Sequence, residues 1–213
     1  GRHCTADRHK HRLRLSLVRC ENGQTGRSPK RRHGTIALKA TIFKADLQIT
    51  DLDRHHYGHH VLTIARHPSE TDERMMVRLV AFALNAEDAL AFSRGLSTED
   101  EPDLWQKDPT GDIALWIEVG QPDDRRLRRA CGRARRVICY NYGGRAPEIW
   151  WQKSAPALER LANLEIFDLP TAATDGMRVL ARRTMNLHCT VQDGEAWFTD
   201  DQHTVHVRPG RRK

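Results

Sequence analysis

The chain has 213 residues, enough for one good hydrophobic core, and it is 38% hydrophobic and 30% charged with a formal net charge of +7. No apolar run approaches the length of a membrane span, so we expect no membrane segment. The five cysteines are scattered and form no CxxC pair, which argues against a disulfide framework or a structural zinc site and favours reduced thiols in a cytoplasm.

The excess positive charge lies at the two ends of the chain. Residues 1–36 contain 10 Lys and Arg against 2 Asp and Glu, whereas residues 37–207 contain 21 against 26. We therefore predict a basic, disordered extension over 1–36, one domain over 37–207, and a frayed basic tail over 208–213. The extension is either a nucleic-acid-binding arm or a solvated tail, and composition favours the solvated tail.

The first predicted elements are two antiparallel strands. Alternating β-branched residues indicate one strand over 36–49, and a second is predicted over 57–65 after a turn at 51–53. Four histidines lie near the second strand: His55, His56, His59 and His60. Adjacent strand residues face opposite sides, so at most two of the four share a face, and exposed polar residues are favoured over a zinc site.

A helix is predicted next, over 70–85. Pro68 ends the strand, Ser69 is a suitable N-cap with Asp72 three residues later, and apolar residues from Met75 onwards recur at helical spacing. A short helix over 87–92 and a loop over 93–100 are predicted to follow.

The segment from Glu101 to Arg126 carries the main chemical signal. Two apolar runs flank a turn at Pro109-Thr110-Gly111, which predicts a hairpin. Asp103 opens the first strand and Glu118 lies near the end of the second. A hairpin brings such carboxylates close together, and Mg²⁺ binds a few carboxylate oxygens together with water and phosphate.

This pattern resembles the PD-(D/E)XK nuclease motif, in which a Pro-Asp step precedes a strand carrying an acid two positions before a lysine. Pro102-Asp103 and Glu118 match, but Gly120 stands where the lysine is expected. An arginine-rich helix is predicted over 123–134, and Arg126 or a neighbour is the candidate to supply the missing charge at a phosphate. An arginine cannot act as a general base, and a solvated basic face is an equally good interpretation of this helix.

Further elements are predicted along the rest of the chain. They are a buried strand over 137–142, a helical region over 146–162, a strand over 164–169, a helix over 172–182, a hairpin over 185–199 around Asp193-Gly194, and an edge strand over 204–207. The predicted fold class is α/β, a single compact domain. Its mixed central sheet contains 103–106, 112–119, 137–142 and 164–169, with flanking helices, and the two terminal hairpins extend or cap it.

Several long motifs closely resemble the bacterial YaeQ family. They are RHPSETDERMM over 66–76, RGL over 94–96 with EPD over 101–103, LWIEVGQPD over 115–123, QDG over 192–194 with Trp197, and ALKATI over 37–42. The resemblance covers about 37–207 and implies a variation of the PD-(D/E)XK core. Family members begin near Ala37 after a methionine, so residues 1–36 are also interpretable as upstream codons read from a misplaced gene start.

The resemblance implies a site without implying an established activity. Asp103 and Glu118 would be catalytic and would bind Mg²⁺ or Mn²⁺ together with the Val119 carbonyl, with Glu73 or Glu70 nearby as a further metal ligand. Both glutamates are equally well explained by the favourable charge that they provide at the N-terminus of the helix predicted over 70–85.

Two function hypotheses follow. One is a divalent-metal-dependent phosphodiesterase acting on nucleic acid, with Asp103, Glu118 and Arg126 as catalytic residues. The other is a non-catalytic module that binds nucleic acid or a protein partner on a nuclease-derived scaffold. The missing lysine and the acidic domain favour the second, but on the family resemblance we take the nuclease-like protein as the leading interpretation and the non-catalytic module as the alternative. We expect a monomer or a small homo-oligomer.

Overall fold

The structure, a computed structural model, describes residues 40–93 and 101–213. The predicted extension over 1–36 and residues 94–100 of the predicted loop lie outside these ranges. The described strands, in chain order, are β1 (Thr41–Asp51), β2 (His56–Arg66), β3 (Leu90–Phe92), β4 (Leu104–Lys107), β5 (Ile113–Val119), β6 (Ala134–Asn141), β7 (Leu164–Asp168), β8 (Thr184–Gln192), β9 (Glu195–Thr199), β10 (Thr204–Val207) and β11 (Gly210–Arg211). The described helices are α1 (Asp72–Leu84), α2 (Asp124–Arg133), α3 (Ala146–Leu158) and α4 (Thr171–Leu180).

The strands form two mixed sheets. One has the order β10-β9-β8-β1-β2 and the other the order β11-β7-β6-β5-β4-β3. The second sheet contains all four strands predicted for the central sheet. The terminal hairpins do not extend that sheet, because β1 and β8 pair in parallel and unite the hairpins into a sheet of their own. That sheet covers one face of the six-stranded sheet across a shared core, which is the second of the two predicted arrangements.

Two hydrophobic cores hold the layers together. The larger core joins the inner face of the five-stranded sheet, α1, α4 and one face of the six-stranded sheet. The smaller core packs α2 and α3 against the opposite face, where Trp116, Leu127 and Leu158 are fully buried. The six-stranded sheet is therefore covered on both sides, as is typical of sheets with parallel strands.

Helix α1 lies inside the larger core. Every residue from Met75 to Ala83 is buried, including the charged Arg78. Its N-cap is Thr71, whose hydroxyl accepts a hydrogen bond from the Arg74 N–H at 3.1 Å, so the predicted cap at Ser69 is wrong. Starting the helix after Thr71 rather than after Ser69 places two acidic residues, Asp72 and Glu73, in the first helical turn, where their charge is favourable.

Two further sequence predictions are corrected at the edges of the six-stranded sheet. Residues Leu90–Phe92 form a short strand against β4 and not a helix. The tail is not frayed, because Gly210–Arg211 pairs with β7 and Arg212 Nε donates to Asp168 at 2.5 Å. The free edge of β7 provides backbone hydrogen-bond partners for the tail, and the local sequence of the tail does not predict this pairing.

The two hairpins predicted around Pro109-Thr110-Gly111 and Asp193-Gly194 are present in the structure. Trp105 pairs with Trp116 across the β4–β5 hairpin. Asp193 and Gly194 both have positive φ, at 54° and 73°, as a type I′ hairpin turn requires. In β2, His56 and His60 stack with ring centroids 5.5 Å apart, whereas His59 contacts Asp46 on β1.

Candidate functional site

A cleft of about 370 Å³ lies where the parallel strands β5 and β6 end. In sheets with parallel strands, the carboxyl ends of the strands are the usual position of binding sites. The cleft is lined by Arg74, Glu101, Pro102, Asp103, Glu118, Val119, Gly120, Gln121, Pro122, Arg126 and Tyr142.

The backbone at the end of β5 fixes two of these residues. The Asp103 N–H donates to the Ile117 carbonyl at 3.0 Å, and the Asp103 carboxylate accepts the Val119 N–H at 2.8 Å. Asp103 thus continues the β4–β5 ladder through its side chain. Gly120 follows at a φ of +99°, a conformation that favours glycine. A lysine at this position would be strained, so the backbone conformation disfavours the residue that the PD-(D/E)XK motif has at the matching position.

Arg74 and Asp103 line one side of the cleft, and the buried Glu70 and Arg78 lie behind them. We call these four residues the α1 wall. Arg74 Nη2 donates to both Asp103 oxygens, at 2.8 and 3.0 Å, and Arg74 Nη1 donates to Glu70 at 2.9 Å. Glu70 is fully buried and also accepts two hydrogen bonds from Arg78, at 2.9 and 2.8 Å. Burial alone would lower the pKa of Arg74, but Asp103 and Glu70 raise it, so its charge is secure. Two arginines and two carboxylates therefore form one closed network.

We call the other side the α2 wall, which consists of Trp116, Glu118 and Arg126. The Glu118 Oε1 atom accepts from Trp116 Nε1 at 2.7 Å and from Arg126 Nε at 2.8 Å. Arg126 Nη2 donates to the Glu101 carbonyl at 2.7 Å. Asp123 caps α2 by accepting the Arg126 N–H at 2.7 Å, and this fixes where the arginine enters the cleft.

Glu118 is the carboxylate in the cleft with the strongest perturbation. Burial and the nearby Asp103 charge raise its pKa to about 7, although Arg126 and the Trp116 hydrogen bond act in the opposite direction. Near neutral pH this group exchanges its proton readily. The cleft is also lined by Arg74, Arg126, Asp103 and Glu101, so protonation of Glu118 leaves two guanidinium groups and two other carboxyl groups lining it.

The structure brings together some of the predicted site residues and separates others. Asp103, Glu118 and Arg126 line one cleft, whereas Glu70 and Glu73 do not line it. Glu70 is engaged by Arg74 and Arg78, and Glu73 accepts the Thr174 hydroxyl at 2.7 Å. The sequence prediction therefore grouped Glu70 and Glu73 with Asp103 and Glu118, although each of the first two has a partner of its own.

The donor set does not fit a divalent cation in this arrangement. Within residues 40–93 and 101–213, no three His, Cys, Asp or Glu side chains are placed to hold a metal ion. Both Asp103 oxygens and the Glu118 Oε1 atom are hydrogen-bonded to arginine. The arrangement is that of a salt-bridge network, in which guanidinium groups supply the positive charge.

Arg74 is the site residue that sequence reasoning missed. A signal was present, because Glu70, Arg74 and Arg78 are spaced four residues apart and such residues lie on the same side of a helix. That spacing predicts a charge network along α1. It does not show that the network reaches Asp103 on another element, 29 residues further along the chain.

The fold and the cleft define a class of protein: a two-sheet α/β domain with an arginine–carboxylate cleft at the ends of its parallel strands. Within this class the family is clear, since residues 36–209 match the family described as YaeQ protein. The chain belongs to the YaeQ family.

Curated relatives and solved structures agree with this assignment. The chain is 44% identical to YaeQ of Escherichia coli strain K12 over 172 residues, which cover 81% of this chain and 95% of the relative. YaeQ of Salmonella typhi is 44% identical over 173 residues, covering 81% and 96%. The crystal structure of YaeQ from Xanthomonas axonopodis pv. citri has a TM-score of 0.79 at 50% identity, covering 82% of this chain and 98% of that one. The structure of YaeQ from Pseudomonas syringae has a TM-score of 0.76 at 40% identity, covering 82% and 96%.

These matches confirm the predicted family and the mixed α/β fold. No helix in the described part of the chain is both long and apolar enough to cross a membrane.

Proposed function

We propose that this protein binds the phosphate backbone of nucleic acid at the α2 wall, as a non-catalytic module. The observation that carries the proposal is that Arg126 lines two adjoining hollows. One is the cleft described above, and the other, of about 310 Å³, is lined by Asp123, Arg125, Arg126 and Arg129. A basic surface therefore runs from the exposed face of α2 into the cleft.

The charge of α2 suits a polyanion. Five of its ten residues are arginine, and Asp124 is its one acidic residue. Arg125 and Arg129 are exposed, and guanidinium groups bind phosphate through paired hydrogen bonds. Since such contacts carry no sequence information, we expect binding that is weakly sequence-dependent and strongly salt-dependent.

The test is fluorescence anisotropy with labelled single- and double-stranded oligonucleotides of about 20 nucleotides. The full chain is used, so that the basic residues of 1–36 contribute equally to every variant. We expect Arg126→Met and Arg125→Met each to weaken binding by ~3- to 10-fold and to lower the slope of log K against log salt by about 1. The matched control is Arg128→Met, because Arg128 is paired with Asp124 and lines neither hollow. Equal binding by all four proteins would contradict the proposal and assign binding to another part of the chain.

A second candidate is the phosphodiesterase that the family resemblance implies, with Mg²⁺ or Mn²⁺ as cofactor. The observation in its favour is that Asp103, directly before β4, and Glu118, in β5, line one cleft. It requires Arg74 to leave Asp103, since both oxygens of that carboxylate are engaged. Release of labelled nucleotides from DNA or RNA, dependent on divalent cation and lost in Glu118→Gln, would establish this activity in place of simple binding.

A further inference from the structure

We propose that a further hollow, of about 440 Å³, binds a planar, uncharged heterocycle of the nucleobase type. It is lined by residues of both sheets and of the C-terminal end of α1, and we call it the inter-sheet hollow. Its volume lies within the range of small-molecule sites, about 300–1,000 Å³. Among the described residues, none lines both this hollow and the cleft or the hollow beside α2. The inference therefore does not depend on phosphate binding at the α2 wall.

Two aromatic side chains give the inter-sheet hollow a flat apolar wall. Tyr140 on β6 and Phe167 on β7 are paired across these parallel strands, and their rings stack with centroids 5.6 Å apart and planes 22° apart. Ile138 precedes Tyr140 by two residues, so both side chains lie on the same face of the sheet. Leu84 of α1 and Val191 of β8 line the hollow from other elements. Such a lining suits the two faces of a planar ring.

Tyr140 supplies a hydrogen-bond donor to this hollow. Asn85 is only 6% exposed, and its Nδ2 donates to the Ala81 carbonyl at 2.9 Å and to the Tyr140 hydroxyl at 2.8 Å. Because a carbonyl can only accept, the contact with Ala81 fixes which end of the Asn85 amide is the nitrogen. The Tyr140 oxygen accepts from Nδ2, so its own hydrogen is left for another acceptor. Burial raises the pKa of Tyr140 to about 12, so the hydroxyl keeps this hydrogen near neutral pH.

Asn85 supplies the acceptor. Within the described part of the chain, its Oδ1 atom accepts no hydrogen bond. Arg66 Nε is the one fully buried polar side-chain atom of these residues that lacks a partner, so Oδ1 is not sealed in the core and Asn85 lines the hollow. The acceptor and the Tyr140 donor lie side by side, because Asn85 Nδ2 joins the two groups. The matching ligand carries an N–H next to an acceptor, as the edge of a nucleobase does.

The charges around the hollow disfavour a strongly charged ligand. Three guanidinium groups and four carboxyl groups line it, and each of the three arginines is paired with a carboxylate. The pairs are Arg54–Asp51, Arg136–Glu165 and Arg208–Glu195. Since these positive charges are already matched, ring contacts and the polar pair of Asn85 and Tyr140 account for recognition. We therefore expect the base, and not a phosphate, to be the part of a ligand that enters this hollow.

The experiment titrates 1-methyluracil and 1,3-dimethyluracil into the full chain and measures binding by saturation-transfer nuclear magnetic resonance. The probes differ by one methyl group, which replaces the N–H that would donate to Asn85. We expect 1-methyluracil to bind saturably with a dissociation constant of about 0.1–1 mM, as suits a ligand of about nine heavy atoms. We expect 1,3-dimethyluracil to bind at least ~10-fold more weakly, because it leaves the buried acceptor unpaired.

A pair of variants tests the donor. Tyr140→Phe removes the hydroxyl and keeps the ring, and we expect it to weaken binding of 1-methyluracil by at least ~5-fold. The matched control is Tyr57→Phe, which removes a hydroxyl from an exposed side chain on β2 and is expected to bind like wild type. Circular dichroism checks that both variants fold.

Three results would overturn the inference. The first is no saturable binding of 1-methyluracil by wild type, and the second is equal affinity for the two probes. The third is a folded Tyr140→Phe protein that binds 1-methyluracil as tightly as wild type does. The comparison of the two probes uses the wild-type chain, so it decides the question even where Tyr140→Phe does not fold. Neither probe carries a phosphate, so failure here leaves the proposed binding of nucleic acid at the α2 wall unaffected.

Discussion

Both walls of the cleft pair one arginine with one buried carboxylate, Arg74 with Asp103 and Arg126 with Glu118, but their surroundings differ. On the α1 wall the arginine lies between two carboxylates and is backed by Arg78 inside the core. On the α2 wall the arginine emerges from an exposed, arginine-rich helix. The first wall is closed on itself, whereas the second continues onto the protein surface.

From this difference we infer that the charges of the α1 wall stabilise the fold, whereas the arginines of the α2 wall and its helix are available to a ligand. A buried ion pair contributes little net stability, but removing one of its partners is costly because the other charge is left unpaired. The exposed arginines of α2 beside this wall, Arg125 and Arg129, lose little when their neighbours change and gain from a bound phosphate. We therefore expect substitutions on the α1 wall to change stability and substitutions on the α2 wall to change binding.

The largest effect is expected for Glu70→Gln. Glu70 is fully buried and accepts hydrogen bonds from both Arg74 and Arg78. Loss of its charge should lower the free energy of unfolding by about 3–5 kcal/mol, measured by urea denaturation. The control Glu165→Gln, which removes a partly exposed pair with Arg136, should cost less than about 1 kcal/mol. Equal losses in the two variants would contradict the structural role of the buried charge on the α1 wall.

The second prediction concerns pH and Glu118. Its pKa is about 7 in the folded protein, above the ordinary value of 4.5, so the folded state holds the proton more tightly than the unfolded chain. As pH rises from about 4.5 to about 7, the free energy of unfolding of wild type should fall relative to Glu118→Gln, by up to about 3 kcal/mol. Urea denaturation of both proteins across this range provides the comparison. A difference that stays constant with pH would refute the raised pKa.

A smaller effect is expected at Gly120, which joins the two walls. Its φ of +99° is strained for any residue with a Cβ, so Gly120→Ala should lower the free energy of unfolding by about 1–2 kcal/mol. The control is Gly132→Ala in α2, where a Cβ would meet no atom within 4 Å. That helical position should gain about 0.5–1 kcal/mol. Thermal unfolding distinguishes the two, and changes of the same sign would count against the backbone strain inferred at Gly120.

The smallest effect is expected for Arg128→Met. Arg128 is paired with Asp124 one helical turn away, and both side chains are exposed. Such a pair contributes about 0.3–0.5 kcal/mol, so stability should barely change in a thermal unfolding experiment. A loss comparable to that of Glu70→Gln would mean that α2 also carries structural charge.

Local sequence patterns predicted many of the helices, strands and turns, but they did not predict which distant strands pair with each other. The β4–β5 hairpin, the Asp193-Gly194 turn and the start of α2 follow from turn and cap residues a few positions apart. The parallel pairing of β1 with β8 joins residues about 140 positions apart, so no periodicity reveals it. The same limit applies to β11, which depends on an open edge at β7.

The candidate site shows the same division. The hairpin signal was sufficient to bring Asp103 and Glu118 to one end of the sheet. It gave no indication that Arg74 would occupy the Asp103 oxygens, because that contact depends on how α1 packs between the sheets. The motif thus identified the two carboxylates. The contact between Arg74 and Asp103 depends on tertiary packing and could not be predicted from the motif.

The most direct test of the central claim is nuclear magnetic resonance of the arginine Nε–H groups during titration with a short oligonucleotide. Arg74→Lys and Arg126→Lys assign the two signals of interest. The account predicts that the Arg126 signal shifts in proportion to saturation, while the Arg74 signal stays in place because Asp103 and Glu70 hold that side chain. A shift of Arg74 with an unchanged Arg126, or no shift of either signal at saturating oligonucleotide, would contradict it.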